Sequence, residues 1–164
     1  MFMKKIILFL VVLIVFVSCK EKKQLVTTQQ NIFTAIVNDL SNIFTQTQRD
    51  SLTNKILQYE KQTTNEIAVV TLDSIDGTIE IYSLNLANEM GIGKRDKDNG
   101  LLILLLKSLR KVKILTAIET RRILTDSICQ EIIDRRMIPE FKKGDFYKGI
   151  DTAIDDIILK WTNE

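Results

Sequence analysis

The chain has 164 residues, 45% apolar and 27% charged, enough for one domain-sized core and too apolar for wholesale disorder. Lysine plus arginine total 23 against 21 acids, an evenly spread charge of +2 that argues against a nucleic-acid partner. The histidine count is zero, which excludes Ser-His-Asp and Cys-His nucleophile schemes, imidazole proton shuttles and the usual zinc sites, while two cysteines supply no disulfide framework.

Lys4 and Lys5 precede an unbroken apolar run from Ile6 to Val17. Such a run has signal-peptide length and falls short of the ~20 residues needed to span a bilayer. It ends Phe16-Val17-Ser18-Cys19, a small residue directly before a cysteine, which resembles the lipobox of bacterial lipoproteins. Residues 1–18 are therefore expected to be an export signal, and Cys19 the lipidated first residue of the mature chain. Removing residues 1–18 takes away two lysines and no acids, leaving a formally neutral mature chain. Residues 19–31 are polar and uncapped, the pattern of a flexible tether holding a domain of residues 32–164 off the membrane. The expected location is the cell envelope, periplasmic or surface side, with the membrane engaged through the lipid and an unidentified envelope protein as partner.

Thr45-Gln46-Thr47-Gln48 has capping-box spacing, and Leu52, Ile56 and Tyr59 share one face, so residues 46–62 read as an amphipathic helix. Glu66 to Leu72 is short and rich in β-branched residues, a buried strand. Residues 79–89 read as a helix with Ile79, Leu86 and Met90 on one side and Gly91 as its stop. Leu101 to Leu106 is wholly apolar, a central strand covered on both faces; a turn at Ser108 to Arg110 leads to a returning strand from Lys111 to Ala117. Thr125-Asp126 caps a helix that buries Ile128, Ile132 and Ile133 and ends before Pro139. Gly144-Asp145 opens a last helix with Phe146, Ile150, Ala153, Ile154, Ile157 and Trp161 on one stripe. Helices before, between and after strands predict a three-layer α/β/α sandwich around a small mixed sheet.

Several stretches in order carry a family resemblance: Val37-Asn38-Asp39-Leu40, Ile67 to Leu72, Gly91-Ile92-Gly93-Lys94, Asp98-Asn99-Gly100, Arg110-Lys111-Val112, Leu124-Thr125-Asp126, Pro139-Glu140-Phe141 and Gly144-Asp145-Phe146 through Ile150. Together they resemble the TPM domain family of thylakoid-lumen and exported bacterial proteins, over about residues 32 to 160. The resemblance implies an α/β/α sandwich, export, and the acid phosphatase activity and divalent-cation binding reported for some members. One stretch departs: where the family has Gly-Tyr-Gly-Leu-Glu-Gly before Leu-Thr-Asp, this chain has Ala117-Ile118-Glu119-Thr120-Arg121-Arg122.

A turn at Ser108 to Arg110 places Leu101 opposite Ala117 and Asp98 near Thr120, so Asp98, Asn99, Glu119, Arg121 and Asp126 are expected at one end of the sheet. In relatives with glutamate at the Arg121 position, such a cluster offers hard oxygens to Ca²⁺ or Mg²⁺. Here Arg121 would pair with Asp98 or Asp126 as a built-in cation, unless Glu119, two residues away on the same strand face, takes over as ligand. The alternative is that Asp98-Asn99-Gly100 is a tight turn and Asp126 a helix cap.

Other motifs fail on spacing or context. Asp96 to Gly100 is EF-hand-like, but its glycine comes one position early and Lys107 stands where a bidentate glutamate belongs. Cys129 and Arg135 have the C-x₅-R spacing of cysteine phosphatases, yet the interval is helical and acidic, so Cys129 reads as a small core residue. Gly91 to Lys94 is neither dinucleotide fingerprint nor P-loop. Asp73 and Asp76 end a strand at the opposite edge from Asp98, and Asp151, Asp155 and Asp156 form the polar face of the last helix. The expected function is a lipid-anchored, non-catalytic binding or accessory module for assembly or maintenance of a membrane complex. The alternative is a metal-dependent acid phosphatase using Asp98 and Asp126.

Overall fold

The computed structural model describes residues 33, 35–93 and 96–162; the export signal, Cys19 and the tether expected at its start lie outside them. Four strands, β1 (Val37–Asp39), β2 (Glu66–Leu72), β3 (Gly100–Leu106) and β4 (Lys111–Thr116), form one sheet in the order β1-β2-β3-β4. The first three are parallel, and β4 returns antiparallel to β3. The helices are α1 (Gln46–Thr63), α2 (Ile79–Met90), α3 (Ile118–Ile123), α4 (Asp126–Ile132), α5 (Ile138–Lys142) and α6 (Phe146–Thr162). A π-helical turn, Ile133–Met137, joins α4 to α5. Among the described residues no helix is long and apolar enough to cross a membrane.

Alternation along the strands divides the side chains between two faces. Val37, Ile67, Val69, Leu101, Ile103 and Ile114 share one face and a continuous core with Leu52 and Ile56 of α1 and with Ile150, Ala153, Ile154 and Ile157 of α6. Leu102 and Leu115 lie on the other face, where Leu84 and Ala87 of α2 stand against them. The expected three layers are present. Since β1, β2 and β3 run in order while α1 and α2 cover opposite faces, the two crossovers must differ in hand, and one of them is the uncommon left-handed kind.

Helix starts follow the sequence closely. Thr45 and Gln48 form the reciprocal capping box of α1, with the Thr45 hydroxyl accepting from Gln48 N–H at 3.3 Å and Gln48 accepting from Thr45 N–H at 2.8 Å. Thr78 and Thr125 cap α2 and α4 through the side-chain hydroxyl alone, accepting from Ile81 and Ile128 N–H, and Gly91 ends α2 in the left-handed conformation. Three expectations need correction. The β3–β4 hairpin pairs one residue off the expected register, with Leu101 opposite Thr116, because the connection is four residues, Lys107 to Arg110, where three were expected. The second strand stops at Thr116, and residues 118–123 turn into α3 instead of extending it. The helical path does not stop with α4 but runs on through Pro139: Ile138 N–H donates to the Ile133 carbonyl, five residues back, and the widened turn carries the backbone past a residue that lacks a donor.

The corner between α5 and α6 depends on a helical glycine. A Cβ added to Gly149 would stand 2.6 Å from Phe141 Cε1 and 3.2 Å from the Met137 carbonyl oxygen, so the missing side chain is the space in which the Phe141 ring lies. Helix propensity alone favours Gly149→Ala by about 0.5–1 kcal/mol, whereas overpacking costs about 1–3 kcal/mol. The expected outcome is net destabilisation in urea denaturation followed by circular dichroism; a rise in stability would mean that Phe141 moves away freely.

Candidate functional site

The loop entering β3 is held by backbone contacts that leave no room for side chains. A Cβ on Gly100 would meet Gly93 N and the Ile92 carbonyl oxygen, each at 2.7 Å, so two glycines are required where the chain after α2 crosses the start of β3. The Glu66 carboxylate fixes this crossing by accepting from Gly93 N–H at 2.8 Å, and Glu66 N–H donates to the Asn99 carbonyl at 3.0 Å. Asn99 is buried, and its side-chain amide donates to the Thr64 carbonyl at 2.7 Å and to Asn65 Oδ1 at 3.3 Å. Thr64 is the α1 C-cap with φ of 68°, a left-handed position that threonine rarely occupies. Asn99 thus clamps the α1–β2 connection against the start of β3.

Asp98 is exposed and also left-handed, with φ of 44°. Its backbone carbonyl accepts from both Thr120 N–H and Thr120 Oγ1, each at 3.4 Å, and so satisfies donors in the first turn of α3. The expected proximity of Asp98 and Thr120 is present, but it is made by a helix. In a helix, residues two apart point about 200° away from each other, so Glu119 and Arg121 do not share a face. Glu119 pairs with Arg122 at 3.2 Å. Arg121 Nε lies 3.7 Å from Asp126 Oδ1, and its Nη2 donates to the Thr116 carbonyl at 3.2 Å. The arginine therefore ties the end of β4 to the first turn of α4 across α3.

Three of the residues read as cation ligands make other contacts, Asn99 in the backbone clamp, Glu119 with Arg122 and Asp126 with Arg121, whereas Asp98 gives only its backbone carbonyl to α3 and its side chain is exposed. Among the described residues no three His, Cys, Asp or Glu side chains are arranged to hold a metal ion. As placed, Glu119 and Asp126 each lie beside an arginine, an environment that does not suit the hard-cation site implied by the resemblance.

The acids of the last helix serve as structural ties. Asp151 and Asp155 both pair with Lys55 of α1, the latter at 2.6 Å, and Asp156 pairs with Arg136 at 2.6 Å; the polar face of α6 is thereby tied to two neighbouring segments. Burial alone would lower the Lys55 pKa, but the two carboxylates outweigh it and raise it. One carboxylate was not singled out in the sequence. Asp39, at the end of β1, has a fully buried side chain that accepts from Ile43 N–H at 3.1 Å, Phe44 N–H at 2.9 Å and Thr71 Oγ1, and pairs with Arg49 at 3.4 Å. With its acceptor capacity filled, it organises the turn into α1. The signal available in the sequence was local: an aspartate a few residues before a run of backbone N–H groups that precede a helix.

Cys129 is buried, with its Sγ 3.5 Å from the Leu124 carbonyl. Burial, reinforced by the Asp126 charge, pushes its pKa up to about 11. The unfolded thiol ionises first, so this group withdraws stability as pH rises from about 9 to about 11. A shift of that size lowers the thiolate fraction at pH 8 about a hundredfold before shielding is counted. Iodoacetamide should therefore leave Cys129 intact in the native chain and label it in urea, as read by peptide mass mapping; rapid native labelling would show an accessible thiolate.

The family model described as TPM domain matches residues 37–160. No curated protein matches the chain. The solution structure of the N-terminal domain of a P. gingivalis protein superposes with a TM-score of 0.71 at 29% identity, covering 77% of this chain and 82% of that one. The BA42 protein of Bizionia argentinensis gives 0.67 at 16% identity, covering 75% and 84%. The N-terminal domain of the cg2496 protein of Corynebacterium glutamicum gives 0.61 at 16%, covering 79% and 81%; these last two likenesses establish the shared fold alone. On the family match, which spans β1 to α6, the chain belongs to the TPM domain family.

Proposed function

We propose that this protein is an envelope lipoprotein whose TPM domain is a non-catalytic binding or accessory module for assembly or maintenance of a membrane complex. Residues 1–18 direct export, lipid on Cys19 anchors the mature chain, and residues 19–31 give the domain reach to an envelope protein partner. The observation that carries the non-catalytic reading is the Arg121–Asp126 pair. A fixed guanidinium beside Asp126 supplies positive charge where a divalent cation would otherwise be attracted, and its second contact, to the Thr116 carbonyl, holds it there. A chain without histidine offers no imidazole acid–base, and the protonated, buried thiol of Cys129 is not an activated nucleophile.

Two measurements test this reading. Radiolabelled palmitate should enter the wild-type chain in a lipoprotein-processing host and be lost in Cys19→Ala; labelling that survives the substitution would remove the anchor. Calorimetric titration with Ca²⁺ and Mg²⁺ into the millimolar range should give no saturable heat for the wild type and a measurable site in Arg121→Glu. On the same samples, hydrolysis of p-nitrophenyl phosphate should not depend on either cation. Cation-dependent turnover lost in Asp98→Ala would overturn the non-catalytic reading in favour of a metal-dependent acid phosphatase.

A further inference from the structure

A cleft of about 470 Å³ opens at the hairpin end of the sheet, far along β3 from Asp98. Its floor is Leu105 and Val112, which face each other across β3 and β4, and its wall is Ile138, Phe141 and Phe146 from the α5–α6 corner. Such a volume, apolar with a few polar groups at one side, falls within the ~300–1,000 Å³ of small-molecule sites. The wall is preorganised: Gly149 makes room for Phe141, whose ring lies 5.2 Å from that of Phe146.

The polar lining has one sign. Lys107, Arg110, Lys111 and Lys142 are its charged members, with no acid among the lining residues. Elsewhere in the domain, Arg49, Lys55, Arg121, Arg122, Arg135 and Arg136 each have a carboxylate within 4 Å. Among the described residues none of the four cleft cations forms such a pair; Lys107 Nζ only donates to the Ser41 carbonyl at 3.4 Å. Arg110 is held at φ of 52°, with its N–H donating to the Lys107 carbonyl at 3.2 Å, so a strained non-glycine backbone closes the turn at the mouth. The cleft also lies beside the carboxyl end of the parallel strand β3, the end at which open α/β sheets present ligand sites.

We propose that this cleft binds a small amphiphilic anion, an apolar chain or ring seated on Leu105, Val112 and Phe141 with its anionic head among Lys107, Arg110, Lys111 and Lys142. Concavity favours a single molecule over a flat membrane face, and four unpaired cations favour an anion over a neutral ligand of the same shape.

The test uses the full-length, methyl-labelled chain in phosphatidylcholine nanodiscs, titrated with 4-butylbenzoate and with its neutral analogue 4-butylbenzamide. The Leu105, Val112 and Ile138 methyl resonances should shift and saturate with the benzoate, with at least about tenfold weaker response to the benzamide. The exposed double substitution Lys111→Glu/Lys142→Glu should weaken benzoate binding at least about tenfold while distant methyl resonances stay in place; Lys61→Glu, at the end of α1, should not alter it. Equal binding of the benzamide, unsaturable shifts, or indifference to the double substitution would overturn the proposal. So would shifts of the same methyls produced by phosphatidylglycerol in the nanodisc when benzoate produces none, since the face would then be a membrane contact.

Discussion

The burial of β3 on both faces is the constraint from which the rest of the domain follows. All of Gly100–Leu106 is buried, and the strand pairs with β2 on one side and β4 on the other. Each Leu or Ile so placed contributes about 1.5–3 kcal/mol, but only if helices cover both faces at once. One face is closed by α1 and the α4–α6 segment, and the other is met by α2. That demand explains the mixed hands of the two crossovers: a second helix on the same face would leave Leu102 and Leu104 to water. The handedness preference is a bias of the chain's twist, and it yields here to burial.

The entry to β3 shows how a motif can look like a ligand site and serve as a joint. A buried strand needs its first residues held in register, and at this point three connections cross: α1 to β2, α2 to β3, and β4 to α3. Asn99, Glu66 and the Asp98 carbonyl each take hydrogen bonds from, or give them to, a different one of these. The departures from the family pattern act on the same place. Glu119 and Arg122 stand where the family pattern has glycine and are better helix formers than glycine, and residues 118–123 are helical. Once they are helical, Arg121 reaches Asp126 while Glu119 turns toward Arg122. The fate of the acidic cluster is therefore decided by backbone conformation before charge is considered.

Much of this fold was legible because its signals are local and periodic. The capping threonines, the Gly91 stop, the β-branched run of β2 and the apolar stripe of α6 each act within a few residues, and each marks the element it caps or builds. The three-residue strand β1 is too short for any period and exists through pairing with β2. The strand pattern of 111–117 runs up to the start of α3 with no glycine or proline to mark the change. The hairpin register slipped by one because the turn chemistry of Lys107 to Arg110 lacks the glycine or asparagine that marks a left-handed position; Arg110 adopts one unaided. For the site, the sequence brought Asp98 near Thr120 and paired Arg121 with an acid, but it could not show that Asn99 and Glu119 would be engaged elsewhere, which depends on contacts 34 and 35 residues away for Asn99 and on helical phase for Glu119.

The two ends of β3 differ in how their charges are settled. At the entry, Arg121 meets Asp126 and Arg122 meets Glu119, so each of these charges has an opposite beside it. At the exit, the hairpin and the α5–α6 corner bring cations together over an apolar floor with no carboxylate among the lining. Like charges within a Debye length of about 8–10 Å repel one another, so this arrangement costs stability in the empty domain. Gly149 likewise gives up helix propensity to seat Phe141, and Arg110 accepts a strained backbone. Three independent local costs fall on one concave surface. The glycine and the turn also serve the fold, at the corner and the hairpin, but the unpaired charge does not, and together the three suit a preformed site for an anion with an apolar body.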